Sequence, residues 1–244
     1  MSRPTAIVIT GPGTNRDRDA AFALDLAGAE PVTVPVGQLA EHPEQLDEAR
    51  IVLVAGGFSY GDALGAGRLL ALDLTAADGG RLGDALRAFV ARERPVIGIC
   101  NGFQVLTQAG LLPGALGHNP GGHFDCRWVT LRPEGASRSI WLDGAADSDE
   151  IDCPIAHGEG RYVHPDPDGL AANGQVALRY AGANPNGSVA DIAGVCDETG
   201  LVLGLMPHPE NHVITRQHPQ HRSLPDTGRR SGLRLFEAAV RHVK

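Results

Sequence analysis

Cys100 stands in the frame Gly98-Ile99-Cys100-Asn101-Gly102. This is the glycine-x-nucleophile-x-glycine form of a nucleophile elbow, with sulfur in place of a hydroxyl. Glycines suit a sharp turn where backbones pass closely. A strand read over Pro95–Ile99 ends just before the cysteine, and a helix read over Asn101–Gln108 begins just after it. The helix N-terminus then directs partial positive charge at the sulfur, which favours thiolate chemistry. A second reading stands beside this one, because cysteine is among the most buried residue types and a thiol after a buried strand can be plain core.

The segment Gly204–Glu210 (GLMPHPE) offers a base. Met206 and His208 each precede a proline, which pushes both toward extended backbone. Residues two apart in an extended chain face one side, so His208 and Glu210 are expected to point together. A histidine that takes a thiol proton and a carboxylate that fixes its tautomer are what a cysteine nucleophile needs. An ordinary proline-rich exit loop is the other reading. A third segment, Ala55–Asp62 (AGGFSYGD), places consecutive glycines after a strand, where backbone N–H groups can meet an oxyanion. A plain strand-to-helix glycine turn would read the same way.

These segments need a scaffold. Thr5–Thr10, Glu30–Val34, Arg50–Ala55 and Pro95–Ile99 read as strands, with helical patterns between them at Asn15–Gly28 and Asp84–Arg94. Near-continuous apolar strands separated by helices indicate a parallel sheet covered on both faces. The second half reads as shorter strands at Arg127–Leu131, Ser139–Leu142, Gln175–Tyr180, Val189–Cys196 and Leu201–Leu205, with a hairpin-like turn at residues 197–200. This is an antiparallel meander added to the parallel sheet. Gly232–Val243 closes the chain as an amphipathic helix. Residues 1–244 read as one domain. All three chemical segments fall at carboxyl ends of strands, where open α/β sheets carry their sites.

Composition removes other classes. The single lysine is Lys244, which argues against a Schiff-base lysine, a pyridoxal enzyme and a Walker-A phosphate loop. The net charge of −8 without a basic block argues against nucleic acid, and no run of eighteen apolar residues crosses a membrane. The start of the chain enters a strand directly, so no signal peptide is expected and the expected location is cytoplasmic. Four cysteines without a CxxC pair fit reduced thiols; Cys126, Cys153 and Cys196 read as structural. Asn186-Gly187-Ser188 reads as a turn.

Taken with GPGTNRDRDAAFALDLAGAE, AGGFSYGDALGAGRLL, GICNGFQVLTQAGLLPGAL, AHGEGRY, VALRY, NPNGS and GLMPHPE, the chain resembles the class I (triad) glutamine amidotransferases. Within them it is most similar to the glutaminase subunits of phosphoribosylformylglycinamidine synthase. The resemblance covers nearly the whole chain. It implies an α/β, flavodoxin-like open sheet, mostly parallel, with helices on both faces and the added meander. It also implies a glutaminase that makes ammonia for an ATP-dependent synthetase, which converts formylglycinamide ribonucleotide to formylglycinamidine ribonucleotide in de novo purine synthesis. Cys100, His208 and Glu210 would be the triad. Gly57 and Asn101 would supply oxyanion N–H groups, Gln104 would touch glutamine, and His157, Gly158 and Glu159 would contact its amino-acid end. No cofactor or metal is implied in this chain; ATP and magnesium belong to the partner synthetase subunit, and a small third subunit is implied as well. The alternative is a stand-alone cysteine hydrolase of the same fold acting on another amide or ester. A non-catalytic subunit would be expected to lack a triad residue, and none is lacking. One departure is a long polar loop over Asn211–Arg230 with His212, His218 and His221. It reads as a solvated loop rather than a metal site, and its position after Glu210 makes it a candidate lid or partner contact.

Overall fold

Three runs of branched apolar residues, IVLV, VIGI and VLGL, form the centre of the sheet, and every residue in them is buried. Such strands show no alternation because both faces are covered. The computed structural model describes residues 2–145, 149–223 and 230–244. Among these are β1 (Thr5–Thr10), β2 (Glu30–Pro35), β3 (Ile51–Val54), β4 (Val96–Ile99), β5 (Ala115–Gly117), β6 (Asp125–Pro133), β7 (Ile151–His157), β8 (Arg161–Val163), β9 (Val176–Ala181), β10 (Ile192–Cys196) and β11 (Val202–Leu205). The helices are α1 (Asp17–Leu26), α2 (Val36–Glu41), α3 (Arg68–Thr75), α4 (Arg81–Ala91), α5 (Asn101–Gln108), α6 (Pro167–Ala172) and α7 (Leu233–His242).

Nine strands lie in the order β2-β1-β3-β4-β11-β10-β9-β6-β7. The first five are parallel and the rest antiparallel. After β1 the chain builds β2 on one side and β3 on the other, so the order reverses between β1 and β3 and opens a crevice at their carboxyl ends. β5 and β8 form a separate pair. β2 carries Pro31 and Pro35, which an edge strand tolerates.

α5 lies very close to the sheet. A Cβ on Gly102 would sit 2.0 Å from the Val54 carbonyl oxygen, and one on Gly98 would sit 2.5 Å from the Gly102 oxygen. The two glycines around Cys100 are thus required by close approach.

β7, the end strand of the sheet order, is met by the segment that leaves β11. The His208 N–H donates to the Pro154 carbonyl at 2.8 Å, and His212 Nδ1 donates to the Asp152 carbonyl at 2.6 Å. The segment leaving β11 therefore covers the edge of β7, which would otherwise present unpaired backbone groups.

The structure departs from the sequence expectations at several places. Ser139–Leu142 is not a strand; Ile140–Leu142 forms a 3-10 turn in which the buried Trp141 donates its indole N–H to the Leu201 carbonyl at 3.0 Å. Ile151–His157 is a strand that the sequence reading does not contain; Pro154 within it reads against a strand, yet it sits in register opposite Trp128 in an unbroken ladder with β6. β10 begins at Ile192, after a turn in which Ala190 and Asp191 have positive φ. The first helix starts at Asp17, because the Asn15 and Arg16 N–H groups donate instead to the Gly56 carbonyl.

Candidate active site

The site is built at the carboxyl ends of β3, β4 and β11. Cys100 caps α5 with φ 52° and ψ −106°, outside the ordinary regions for an L-residue. Such a conformation persists only where neighbours fix it. Here the Cys100 N–H donates to the Leu205 carbonyl at 2.8 Å, and its own carbonyl accepts from Gln104 N–H at 3.1 Å. The residue is 5% exposed, and its Sγ lies 3.7 Å from the Ala156 carbonyl oxygen at the end of β7.

His208 and Glu210 meet with Nδ1 and Oε1 2.6 Å apart, both buried. They do not meet by sharing one side of an extended strand. Pro209–Asn211 is a 3-10 turn, and the turn brings the carboxylate back to the imidazole. Burial opposes a charge on His208, but the charges of Glu210 and of the Cys100 sulfur, which the imidazole also hydrogen-bonds, outweigh it and raise the histidine to about 10. His157, at the end of β7, behaves in the opposite way. Burial, reinforced by the charge on His208, lowers it to about 4, so it is neutral at ordinary pH.

The glycine loop after β3 is clamped from two sides. Phe58 N–H donates to the Gly13 carbonyl at 3.1 Å, and Ser59 N–H donates to Asn101 Oδ1 at 3.2 Å. Gly57 has φ 140°, and a Cβ there would lie 2.7 Å from the Asn15 nitrogen. Asn101, first residue of α5, thus ties the loop to the elbow.

A cavity of about 160 Å³ opens beside Cys100, lined by Gly57, Gln104, Ala156, His157, Gly158 and Glu159 and by Phe58, Asp62, Ala66, His118, Gly122 and Phe124. Six of the nine expected site residues line it. Asn101, His208 and Glu210 do not, and all three are buried. Gln104 has its amide engaged, donating to the Glu159 carbonyl at 2.7 Å and accepting from Asn101 Nδ2 at 3.0 Å. It fastens the 157–159 wall to α5.

Two residues of the wall were missed from sequence. Asn119 Nδ2 donates to the His157 carbonyl at 2.9 Å, and its Oδ1 accepts from Gly160 N–H at 3.1 Å. Asn186 is fully buried, donates to the Gly160 carbonyl at 2.8 Å and lies 3.4 Å from His157 Nε2. Both are asparagines in loops distant in sequence from what they hold, and only the NPNGS run gave any signal.

The 211–230 loop is not a solvated loop throughout. His212 and His218 are buried, their rings 5.4 and 4.7 Å from that of Trp128. Residues 224–229 of this loop lie outside the described residues, and none of its described residues lines the cavity at Cys100. Among the described residues no group of three or more His, Cys, Asp or Glu could hold a metal ion. No helix of the described residues is long and apolar enough to cross a membrane. The described cysteines are free thiols; Cys153 and Cys196 are buried and Cys126 is exposed.

Residues 3–243 match the profile of the CobB/CobQ-like glutamine amidotransferase domain. The chain is 42% identical to the phosphoribosylformylglycinamidine synthase subunit PurQ of Treponema denticola, over 99% of each chain. It is 48% identical to PurQ of Frankia casuarinae, over 84% of each chain. In three dimensions it is similar to a chain in the solved structure of PurLQS from Thermotoga maritima, with a TM-score of 0.80, 36% identity, and coverage of 99% of this chain and 100% of that one. With its 2-1-3-4 start, elbow cysteine and extended coverage, the chain belongs to the CobB/CobQ-like glutamine amidotransferases, among the PurQ subunits of phosphoribosylformylglycinamidine synthase.

Proposed function

We propose that this chain, acting as one domain over residues 1–244, hydrolyses glutamine at Cys100 and delivers the ammonia to a separate synthetase subunit. The observation that carries the reading is the strained Cys100 elbow facing a buried, carboxylate-held His208. The Cys100 sulfur attacks the side-chain amide carbon of glutamine. The oxyanion that forms is met by the N–H groups of Gly57 and Asn101, donors fixed before the reaction begins. The protonated His208 gives its proton to the departing nitrogen, which leaves as ammonia, and a glutamyl thioester remains on Cys100. Neutral His208 then takes a proton from water, the water oxygen attacks the thioester, and glutamate leaves as the thiol is restored. Glu210 holds the imidazole orientation and supports its charge. Gln104 and the 157–159 segment shape the pocket.

Ammonia alone completes nothing useful, so an acceptor reaction is needed. We place it on the ATP- and magnesium-dependent synthetase partner that converts formylglycinamide ribonucleotide to formylglycinamidine ribonucleotide, with a small third subunit in the assembly. The PurQ relatives and the PurLQS assembly support this over a stand-alone hydrolase. The reading involves neither nucleic acid nor membrane and places the protein in the cytoplasm. The test is synthesis by the reconstituted complex with Cys100→Ala. Glutamine-dependent product should vanish while product from added ammonia persists. Glutamine-dependent synthesis that survives the substitution would overturn the reading.

A further inference from the structure

Few bonds hold the Glu210 carboxylate directly. Its Oε1 meets His208, and its buried Oε2 has no hydrogen-bond partner among the described residues. The carboxylate therefore stays against the imidazole only as well as the 3-10 turn over Pro209–Asn211 is held in place. Two bonds fix that turn to the edge of β7, one at each end. Before the turn, His208 N–H donates to the Pro154 carbonyl; after it, His212 Nδ1 donates to the Asp152 carbonyl at 2.6 Å. Alternate residues of a strand present their carbonyls along one edge, so these acceptors are successive places in one ladder. The backbone cannot fill the second place. The N–H groups of Asn211 and His212 are spent inside the turn, on the carbonyls of His208 and Pro209. The imidazole of His212 fills it instead, and since a carbonyl only accepts, Nδ1 carries the proton. His212 is fully buried, and burial lowers its affinity for a second proton. Its ring packs edge-on against Trp128 at 5.4 Å and lies 5.2 Å from that of His218. Its carbonyl accepts from Gly232 N–H and Ser231 Oγ, both at 2.8 Å.

We propose that His212 is a positioning residue for the triad: through the Asp152 carbonyl it holds the 209–211 turn on β7 and so sets how closely Glu210 meets His208. This rests on the glutaminase reading above and adds the side chain that aims its carboxylate. Of the titratable groups that act on His208, namely Glu210, Cys100 and His157, only Glu210 rides on this turn. A loosened turn therefore weakens the support that Glu210 gives to the imidazolium and leaves the sulfur where it is.

The experiment is a pH series of kcat and KM for glutamine, on the chain reconstituted with its synthetase subunit. It compares the wild type with His212→Leu, His212→Asn and His212→Gln, and with His212→Leu combined with Glu210→Gln. His212→Leu keeps an apolar side chain against Trp128 and has no donor. It should lower kcat about tenfold to a hundredfold with KM little changed. It should also move the alkaline limb of kcat toward neutrality, because Glu210 raises His208 and a receding carboxylate lets the imidazole fall. His212→Asn places an amide N–H where Nδ1 stands and should return the limb; His212→Gln places it where Nε2 stands and should not. Once Glu210→Gln has removed the charge to be aimed, adding His212→Leu should cost no more than about threefold. A residue that only packs would lower kcat with the limb unmoved, or add its full effect to Glu210→Gln, and either result overturns the proposal. If His212→Leu fails to fold, His212→Asn and His212→Gln decide, and equal behaviour of those two overturns it. Cys100→Ala separates the two claims. If it abolishes turnover while His212→Leu leaves the limb unmoved, only the positioning claim fails; if turnover survives it, the glutaminase reading itself fails.

Discussion

The parallel and antiparallel halves of the sheet contribute different things to one pocket. The parallel half carries the groups proposed to react, each at a strand carboxyl end: Gly57 after β3, Cys100 after β4 and His208 after β11. The antiparallel half supplies backbone: the Pro154 carbonyl that receives His208 N–H, the Ala156 carbonyl beside the sulfur, and the 157–159 wall. The two buried histidines show the contrast. His208 is paired with Glu210 and raised to about 10, while His157 on β7 makes no carboxylate ion pair among the described residues, and burial outweighs the pull of Asp125 and lowers it to about 4. Burial alone does not make a histidine into a proton carrier; a buried counter-charge does.

If the parallel half carries the chemistry, the largest effect comes from its base. His208→Ala should cut glutamine hydrolysis by about 10²–10⁴-fold, whereas His157→Asn should retain most of it. Steady-state rates on both variants read this directly, and the reverse ranking would exchange the roles of the two histidines.

The next effect is on stability, and it sharpens the same division. Gly102→Ala puts a Cβ 2.0 Å from the Val54 oxygen, backbone that cannot yield cheaply, and should cost about 3 kcal/mol in denaturant unfolding. Gly117→Ala, in the small β5–β8 pair with nothing within 4 Å, should stay within about 0.5 kcal/mol. Equal costs would mean that α5 is not pressed against the sheet.

Glu210→Gln should lower activity less than His208→Ala does and should change its pH dependence. Glu210 holds His208 protonated, so removing the carboxylate lets burial lower the imidazole. The alkaline limb of kcat should then move toward neutrality by about 1–3 pH units. An unmoved limb would show that another group sets it.

The smallest effect belongs to His157. Its folded value is depressed, so between about 6.5 and about 4 the unfolded chain binds a proton that the folded chain refuses, and stability falls as pH drops through that window. Removing the imidazole removes that slope. The Tm lost between pH 7 and pH 5 should be smaller in His157→Asn by about 2–4 °C. A larger acid loss in the variant would reverse the sign of the argument for a neutral His157.

What the sequence shows and what it hides divide along similar lines. The parallel strands and the Gly98–Gly102 frame are legible because continuous apolar runs and steric demands are local. The pairing of His208 with Glu210 is legible as a pair, but for the wrong reason: a 3-10 turn over Pro209–Asn211, not an extended strand, brings them together. The antiparallel half hides more. Pro154 masks β7, and Ser139–Leu142 reads as a strand because Trp141 is apolar, although its indole is drawn inward to Leu201. Asn119 and Asn186 act through carbonyls 38 and 26 residues away, a relation that no pattern along the chain encodes. His212 and His218 look solvated in a polar loop and are buried against Trp128, which lies about 90 residues earlier on β6.

The most direct test of Cys100 as the nucleophile is to quench the enzyme during turnover of glutamine, digest it and weigh the cysteine-containing peptides. A glutamyl adduct should be found on the Cys100 peptide, absent from those of Cys126, Cys153 and Cys196, and lost in Cys100→Ala. Turnover of glutamine with the adduct on another cysteine, or undiminished turnover in Cys100→Ala, would contradict it.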